Sequence, residues 1–252
     1  MEHGQFTIAE RIDRIVVTFK AARTMADRLG YCPELIDYLE STDIYYRSVA
    51  YEGAAVAFTI LDLRDEDGDM TRFNTLNRNE GLKHEIHAHI ALGWATEELG
   101  LQCLRPGPAE KSQASHDGMG YYLGLFRRRL TVQSQSIPKH VFSCDMKGFD
   151  RGVGRSLWYI SKGDLNVLLN MVRGFPAKRQ ANLWRGIGVA ASFVGGCTDS
   201  QLMALWAAAG QFQRELSDGA RRVAISRKKA GTPLHDVKRA RAIWKIENQS
   251  IG

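Results

Sequence analysis

The chain is poor in cysteine, holds no long apolar run and carries none of the common nucleotide or nucleophile signatures. Its four cysteines (Cys32, Cys103, Cys144 and Cys197) lie far apart among 252 residues. They form no C-x-x-C pair and suggest neither a zinc site nor a disulfide framework. A reducing cytoplasm is then the natural compartment. No stretch of about 18 apolar residues exists, so no membrane span is expected. The opening MEHGQFTIAERIDR has no apolar h-region, so no secretory signal is expected. GVGRSLW lacks the Gly-Lys-Ser/Thr ending of a phosphate loop. No G-x-G-x-x-G follows a strand, and there is no G-x-S-x-G elbow. No cofactor is called for. What remains, 44% apolar and 25% charged residues, is the composition of a soluble globular protein. A chain of this length can bury a sizeable core.

Glycine, at 24 residues, recurs with a period of about 34. Gly120, Gly154 and Gly188 are evenly spaced, in HDGMGYYLGLF, FDRGVGRSLWYI and LWRGIGVAASFVGG. Gly53 lies two periods earlier, and HEIHAHIALGWA fills the slot between. VVTFKAARTMA around Lys20 and LSDGARRVAIS around Gly219 extend the series at both ends. A unit of this length fits two helices of about 12–14 residues and two short turns. Small residues at one place in the first helix let a neighbouring helix come close. Trp184, Ile187 and Gly188 partly match the tetratricopeptide pattern W-x-x-L-G, and Asp150, Val153, Gly154 and Leu157 follow the same spacing. The expected fold is all-α, a stack of about seven helical hairpins of about 34 residues. The stack would be a tetratricopeptide-like solenoid or a curved helical toroid, with residues 1–252 as a single helical-repeat domain.

Helical periodicity runs almost throughout. Ile8, Ile12, Ile15, Phe19 and Ala22 mark the first helix, and Gly30 stops it. AVAFTILDL reads as a buried helix. CLRPGPAEKSQ, with Pro106 and Pro108, and SQSIPKH, with Pro138, read as loops. Asp164 is a cap signal, as is Asp199 or Ser200. The net charge of +6 concentrates in RRVAISRKKAGTPLHDVKRARAIWK, from Arg221 to Lys245. No aromatic interleaving accompanies it, so a solvated terminal repeat is favoured over a nucleic-acid contact. Arg127–Arg129 reads as a helix end, where cations suit the dipole.

Several strings together resemble one bacterial family. They are YEGAAVAFTILDL, the His84–Ala95 segment ending in GWA, DGMGY, FDRGVGRSLWY, NLW-x-G-x-G and the closing DGARRVAISRKKAG. The resemblance is to domain-of-unknown-function family 1702, whose members often carry the label of enediyne biosynthesis proteins, and it runs from about Phe19 to Leu234. The chain has Asn182 where relatives tend to read Asp, and Tyr121 and Tyr122 where they tend to read Phe-His. The resemblance implies a natural-product gene-cluster setting with polyene or polyketide substrates, beside which the function reading keeps an isoprenoid intermediate open. It supplies no reaction.

Candidate chemistry rests on three groups of residues. His84, His87 and His89 crowd KHEIHAHIALGW, but His84-Glu85-Ile86-His87 is one residue short of the zincin H-E-x-x-H. Metal binding, proton transfer by His84 or His89, and satisfied buried histidines stay open, and no metal is assigned. Glu52, Asp117 and Asp150 each stand just before a small-residue helix. They either cap it or line one groove as proton donors. Arg155 would pair with Asp150 or Asp117, or bind an anion. DLRDEDGD (Asp62–Asp69) completes neither a terpene-synthase metal motif nor a calcium loop, and reads as a solvated acidic loop. Trp94, Tyr121, Tyr122, Trp158, Tyr159, Trp184, Phe193 and Trp206 are mostly core, yet a curved stack can turn some of them toward an apolar ligand. The expected function is a cofactor-free acid–base enzyme of secondary metabolism, cyclising or isomerising a hydrophobic small-molecule intermediate. Asp117, Asp150, His84, His89 and Glu52 would be catalytic, and Arg155 with the aromatic residues would bind substrate. The alternative is a non-catalytic scaffold or ligand-binding protein, in contact with other biosynthetic proteins.

Overall fold

The computed structural model describes residues 6–65, 69–101, 109–141 and 145–244, with side chains omitted at 109–112. The loop prolines Pro106 and Pro108, Cys103, Cys144, residues 66–68 of the acidic segment and the last residue of the basic stretch, Lys245, lie outside the described residues. The described chain is all-helical, with twelve α-helices. They are α1 (Ile8–Leu29), α2 (Pro33–Ser41), α3 (Arg47–Arg64), α4 (Thr71–Arg78), α5 (Glu85–Glu98), α6 (Ala109–Phe126), α7 (Met146–Ser161), α8 (Leu165–Gly174), α9 (Ala177–Val194), α10 (Asp199–Ala209), α11 (Gln213–Ala230) and α12 (His235–Ile243). A 3₁₀ segment at Glu80–His84 leads into α5, and a π-helical turn at Arg129–Gln133 follows α6. AVAFTILDL is buried helix within α3. No helix among the described residues is long and apolar enough to cross a membrane.

Local chemistry explains most helix starts. Thr7 and Glu10 form a capping box at α1, Asp164 caps α8, and Gly30 ends α1 with φ near +68°. The cap of α10 is Thr198, not Asp199 or Ser200, because extended Thr198 receives the Gln201 N–H and its own N–H is taken by the Gln201 side chain. Asp145 caps α7. Asp117, Asp150 and Glu52 are therefore not caps: each sits inside its helix. Asp62 also departs from the solvated-loop reading. It is 1% exposed and receives the Arg72 and Phe73 backbone N–H groups at the start of α4, while the Arg72 side chain joins it to Asp65.

The long helices pack as consecutive neighbours, α1–α3–α5–α6–α7–α9–α11, with α8, α10 and α12 against them. Glycines set this order. Successive residues of a helix turn by about 100°, so the two ends of a G-x-G face opposite sides. In α6, Gly118 lies against the Ile90 carbonyl of α5 and Gly120 against the Phe149 carbonyl of α7. In α7, Gly152 meets the Asp117 carbonyl behind and Gly154 meets Leu183 of α9 ahead. In α9, Gly186 meets Arg151 and Gly188 meets Leu216 of α11. A Cβ at any of these positions would strike backbone, so the helices approach along their glycines.

Neighbours run parallel where matched contacts fix direction. Along α6 and α7, His116, Gly120 and Gly124 face Gly148, Phe149 with Val153, and Ser156 in turn. Along α9 and α11, Arg185 pairs with Asp218 and the Phe193 carbonyl accepts from Arg227. The side of each helix midway between its glycines is apolar: Met119, Val153 and Ile187 are at most 1% exposed. Burying side chains of this kind contributes roughly 1.5–3 kcal/mol each. The early and late helices also meet. His87 of α5 packs on Phe193 of α9 with ring centroids 5.4 Å apart, and Arg227 of α11 lies over Tyr45, just before α3.

Candidate functional site

The helix face opposite Met119, Val153 and Ile187 carries charge. Immediately before the back-facing glycine of each helix stand Glu52 (α3), Asp117 (α6), Arg151 (α7), Arg185 (α9) and Asp218 (α11). One place in the repeat thus holds acid, acid, base, base, acid. Asp117 is clamped: Arg151 Nε donates to its Oδ2 and Arg155 Nη1 to its Oδ1, both at 2.5 Å. Burial opposes the charge on Asp117, but Arg155 and Arg151 outweigh it and hold the carboxyl below its ordinary range. Arg151 also donates to the Gln113 carbonyl, and Arg155 lies over the Tyr121 ring. Asp117 is thus a fixed anion under two guanidiniums.

Asp150 stands one residue outside this place, a rotation of about 100°. Arg179 Nε and Nη2 both donate to its Oδ1, at 2.9 and 2.6 Å. Burial outweighs Arg179 and lifts the Asp150 carboxyl above its ordinary value. Asp117 and Asp150 do not share partners, and Arg155 pairs with Asp117 alone of the two.

His87 of α5 reaches Glu52 on the charged face. His87 Nδ1 lies 2.7 Å from Glu52 Oε2, and both side chains are buried. Glu52 is also close enough to act electrostatically on Arg155, Tyr121 and Tyr159. Tyr121 and Tyr159 rings are 5.3 Å apart, and burial pushes the Tyr159 hydroxyl up to about 12. Glu52, His87, Tyr121, Tyr159, Arg151 and Arg155 are all buried, as the apolar core around them is.

The other two histidines are placed apart from this pair. His84 precedes α5, stacks on Tyr51 and shares a 3.0 Å hydrogen bond with the Ser48 hydroxyl through Nδ1. Burial, then the charges of His87 and Lys83, push it down to about 3, so it is neutral at neutral pH. His89 lies near Glu85 and edge-on to Phe73. Among the described residues no three His, Cys, Asp or Glu side chains gather as metal ligands.

The aromatic candidates divide too. Trp94 bridges Tyr121, Tyr122 and Phe126, with ring centroids 5.4–5.5 Å away, and its Nε1 donates to Glu98. Trp158 shares the face of Arg155 one turn on, and its buried Nε1 has no hydrogen-bond acceptor among the described residues. Trp184 is 3% exposed on the apolar side of α9, away from Arg185. The basic stretch is dispersed. Arg227 is buried over Tyr45 and Phe193, Arg221 and Arg222 pair with Asp218, and Lys229 pairs with Glu85.

A family model described as protein of unknown function (DUF1702) matches residues 2–246. The chain belongs to this family. No curated protein and no solved structure matches it. Within this DUF1702 chain, the site residues that motif reading passes over are Arg151 and Arg185, and it notes His87 only within the histidine cluster, not as the partner of Glu52. A signal for Arg151 and Arg185 is present: each follows Asp117 by one or two whole periods, hidden by the change of charge sign.

Proposed function

We propose that this protein is an acid–base enzyme acting on a hydrophobic, unsaturated intermediate of secondary metabolism, polyketide-like or isoprenoid, by cyclisation or isomerisation. The observation that carries the reading is the buried His87–Glu52 pair, 2.7 Å apart, beside Tyr121, Tyr159 and Arg155. Glu52 orients the imidazole, and His87 moves the proton. Such a positioned base contributes typically about 10²–10⁴-fold to rate. Arg155, fixed on Asp117, stabilises negative charge developing on substrate. Asp117 is then an electrostatic support, not the proton donor. Contacts of His87 with Phe193 and of Arg227 with Tyr45 favour a curved helical toroid whose interior holds this site. The setting this reading proposes is a bacterial natural-product gene cluster and its cytoplasmic enzymes.

The test is His87→Gln in the producing cell, with folding checked by circular dichroism. Product formation is expected to fall at least about 100-fold. Unchanged product with folded variant sinks the reading.

A second reading, a non-catalytic scaffold, is favoured by an open surface groove of about 560 Å³ lined by Glu40, Asn79, Glu80, Leu82, Lys83 and Lys229. Native mass spectrometry separates the two: a co-purifying small apolar ligand supports the enzyme, and a bound polypeptide supports the scaffold.

A further inference from the structure

Five guanidiniums share two carboxylates on the charged face of α6, α7, α9 and α11. Arg151 and Arg155 hold Asp117, while Arg185, Arg221 and Arg222 hold Asp218. Side-chain exposure falls along this set, from 44% at Arg222 and 25% at Arg185 to 9% at Arg151 and 7% at Arg155. The cations thus pass from exposed on α11 to buried on α7. Arg222 also feels the like charges of Arg151 and Arg185, which places the three within electrostatic reach of one another.

The same helices turn apolar inward. Four-residue steps keep one helix face, at about 6 Å per step. On α7 the steps are Arg151, Arg155 and Tyr159; on α9 they are Arg185, Val189 and Phe193. Both run from guanidinium to aromatic ring over roughly 12 Å. Phe193 then touches His87.

From this gradient we infer that the ligand is an anionic amphiphile: an apolar body ending in a carboxylate or phosphate. Its head is held by Arg185, Arg222 and Arg151. Its body lies along Tyr159, Val189 and Phe193, and its far end reaches His87 and Glu52. Guanidiniums in excess of carboxylates on one face favour an anion, and guanidinium forks fit carboxylate and phosphate oxygens. The orientation of the ligand at His87 rests on the acid–base reading above; the anion site does not.

The experiment is isothermal titration of the full chain with decanoate, decyl phosphate and decanol, using wild type, Arg185→Gln, Arg222→Gln and His87→Gln. Decanoate or decyl phosphate is expected to bind wild type, and decanol at least about tenfold more weakly, the scale of one lost charge-assisted hydrogen bond. Each arginine variant is expected to lose about tenfold for the anionic probes while leaving decanol unchanged. The preferred probe identifies carboxylate or phosphate as the head. Equal binding of all three probes, no binding of either anion, or unchanged affinity in both arginine variants overturns the inference. His87→Gln separates the two readings. Anion binding retained with product lost keeps both; anion binding retained with product unchanged removes the acid–base role alone; arginine-independent binding with product lost removes only the anion site.

Discussion

Single residues here are defined by whom they face. Asp117 and Asp150 are both buried aspartates of long helices, yet two guanidiniums lower the carboxyl of the first and burial raises that of the second. His84 and His87 are three residues apart, yet one stacks on a tyrosine and the other bonds a carboxylate. His84 makes a prediction of its own. Its folded-state value, down to about 3, lies below the ordinary 6.5 of histidine. The unfolded chain therefore binds a proton that the folded chain refuses. Stability from this group is complete above about pH 6.5 and is lost as pH falls toward 3, by up to about 1.4 kcal/mol per pH unit. His84→Gln, which preserves a hydrogen-bonding group for Ser48, is expected to flatten urea-derived stability between pH 6.5 and 4 relative to wild type. Parallel pH profiles for the two proteins would show that His84 does not carry this dependence.

At the scale of elements, the glycine repeat makes the helices and their order legible, because a small residue recurring on a helix marks where another helix comes close. Gly120, Gly154 and Gly188 do face forward onto the next helix, one period apart. Gly53 faces backward onto Phe19, so it belongs with Gly118, Gly152 and Gly186. That two-residue difference in register is why the linear pattern groups Asp150 with Glu52 and Asp117, although a one-residue slip turns a helical side chain by about 100°. The caps are partly hidden for a different reason: Asp signals a cap, but whether it stands at a helix end depends on where helix begins. Nor does a linear period tell which distant helices meet, so the contact of His87 with Phe193 is not readable from it. The close approach itself is testable. Alanine at Gly152 gains up to about 1 kcal/mol in helix propensity, but its methyl meets the Asp117 carbonyl and Tyr121 N. Overpacking of this kind costs typically about 1–3 kcal/mol, so Gly152→Ala is expected to be net destabilising and to disturb the Asp117–Arg155 pair. Gly174→Ala meets only the end of the Gln135 side chain, and thermal melts should show it neutral or slightly stabilised. Equal melting of both variants would mean that the α6–α7 spacing does not depend on glycine.

For the whole molecule, the question is what joins the first helix to the last. Arg11 of α1 is 1% exposed, and its Nη1 donates to Asp236 of α12 at 2.8 Å, to the Tyr45 hydroxyl at 2.7 Å and to the Val194 carbonyl that ends α9. Tyr45 donates to the same Asp236 oxygen. Four distant segments thus meet at one part-buried ion pair, whose partners are far apart in sequence. Burial raises the Asp236 carboxyl, but Tyr45 and Arg11 outweigh it and bring it below the ordinary 3.8. Its contribution is therefore present above about pH 4 and is lost as pH falls through the lowered value. Asp236→Asn leaves the Arg11 charge buried without its anion, which typically costs about 3–5 kcal/mol. For a chain of this size that corresponds to a melting point lower by roughly 6–20 °C. Replacing both charges, Arg11→Met with Asp236→Leu, removes the uncompensated charge and is expected to recover much of the loss. Hydrogen exchange distinguishes a closing contact from a merely local one. If the pair joins the two ends of the stack, Asp236→Asn raises exchange in α1, α9 and α12 together, while α6 and α7 stay protected. Exchange that rises only within α12 would mean that the last helix is an appendage and that the ends are held elsewhere.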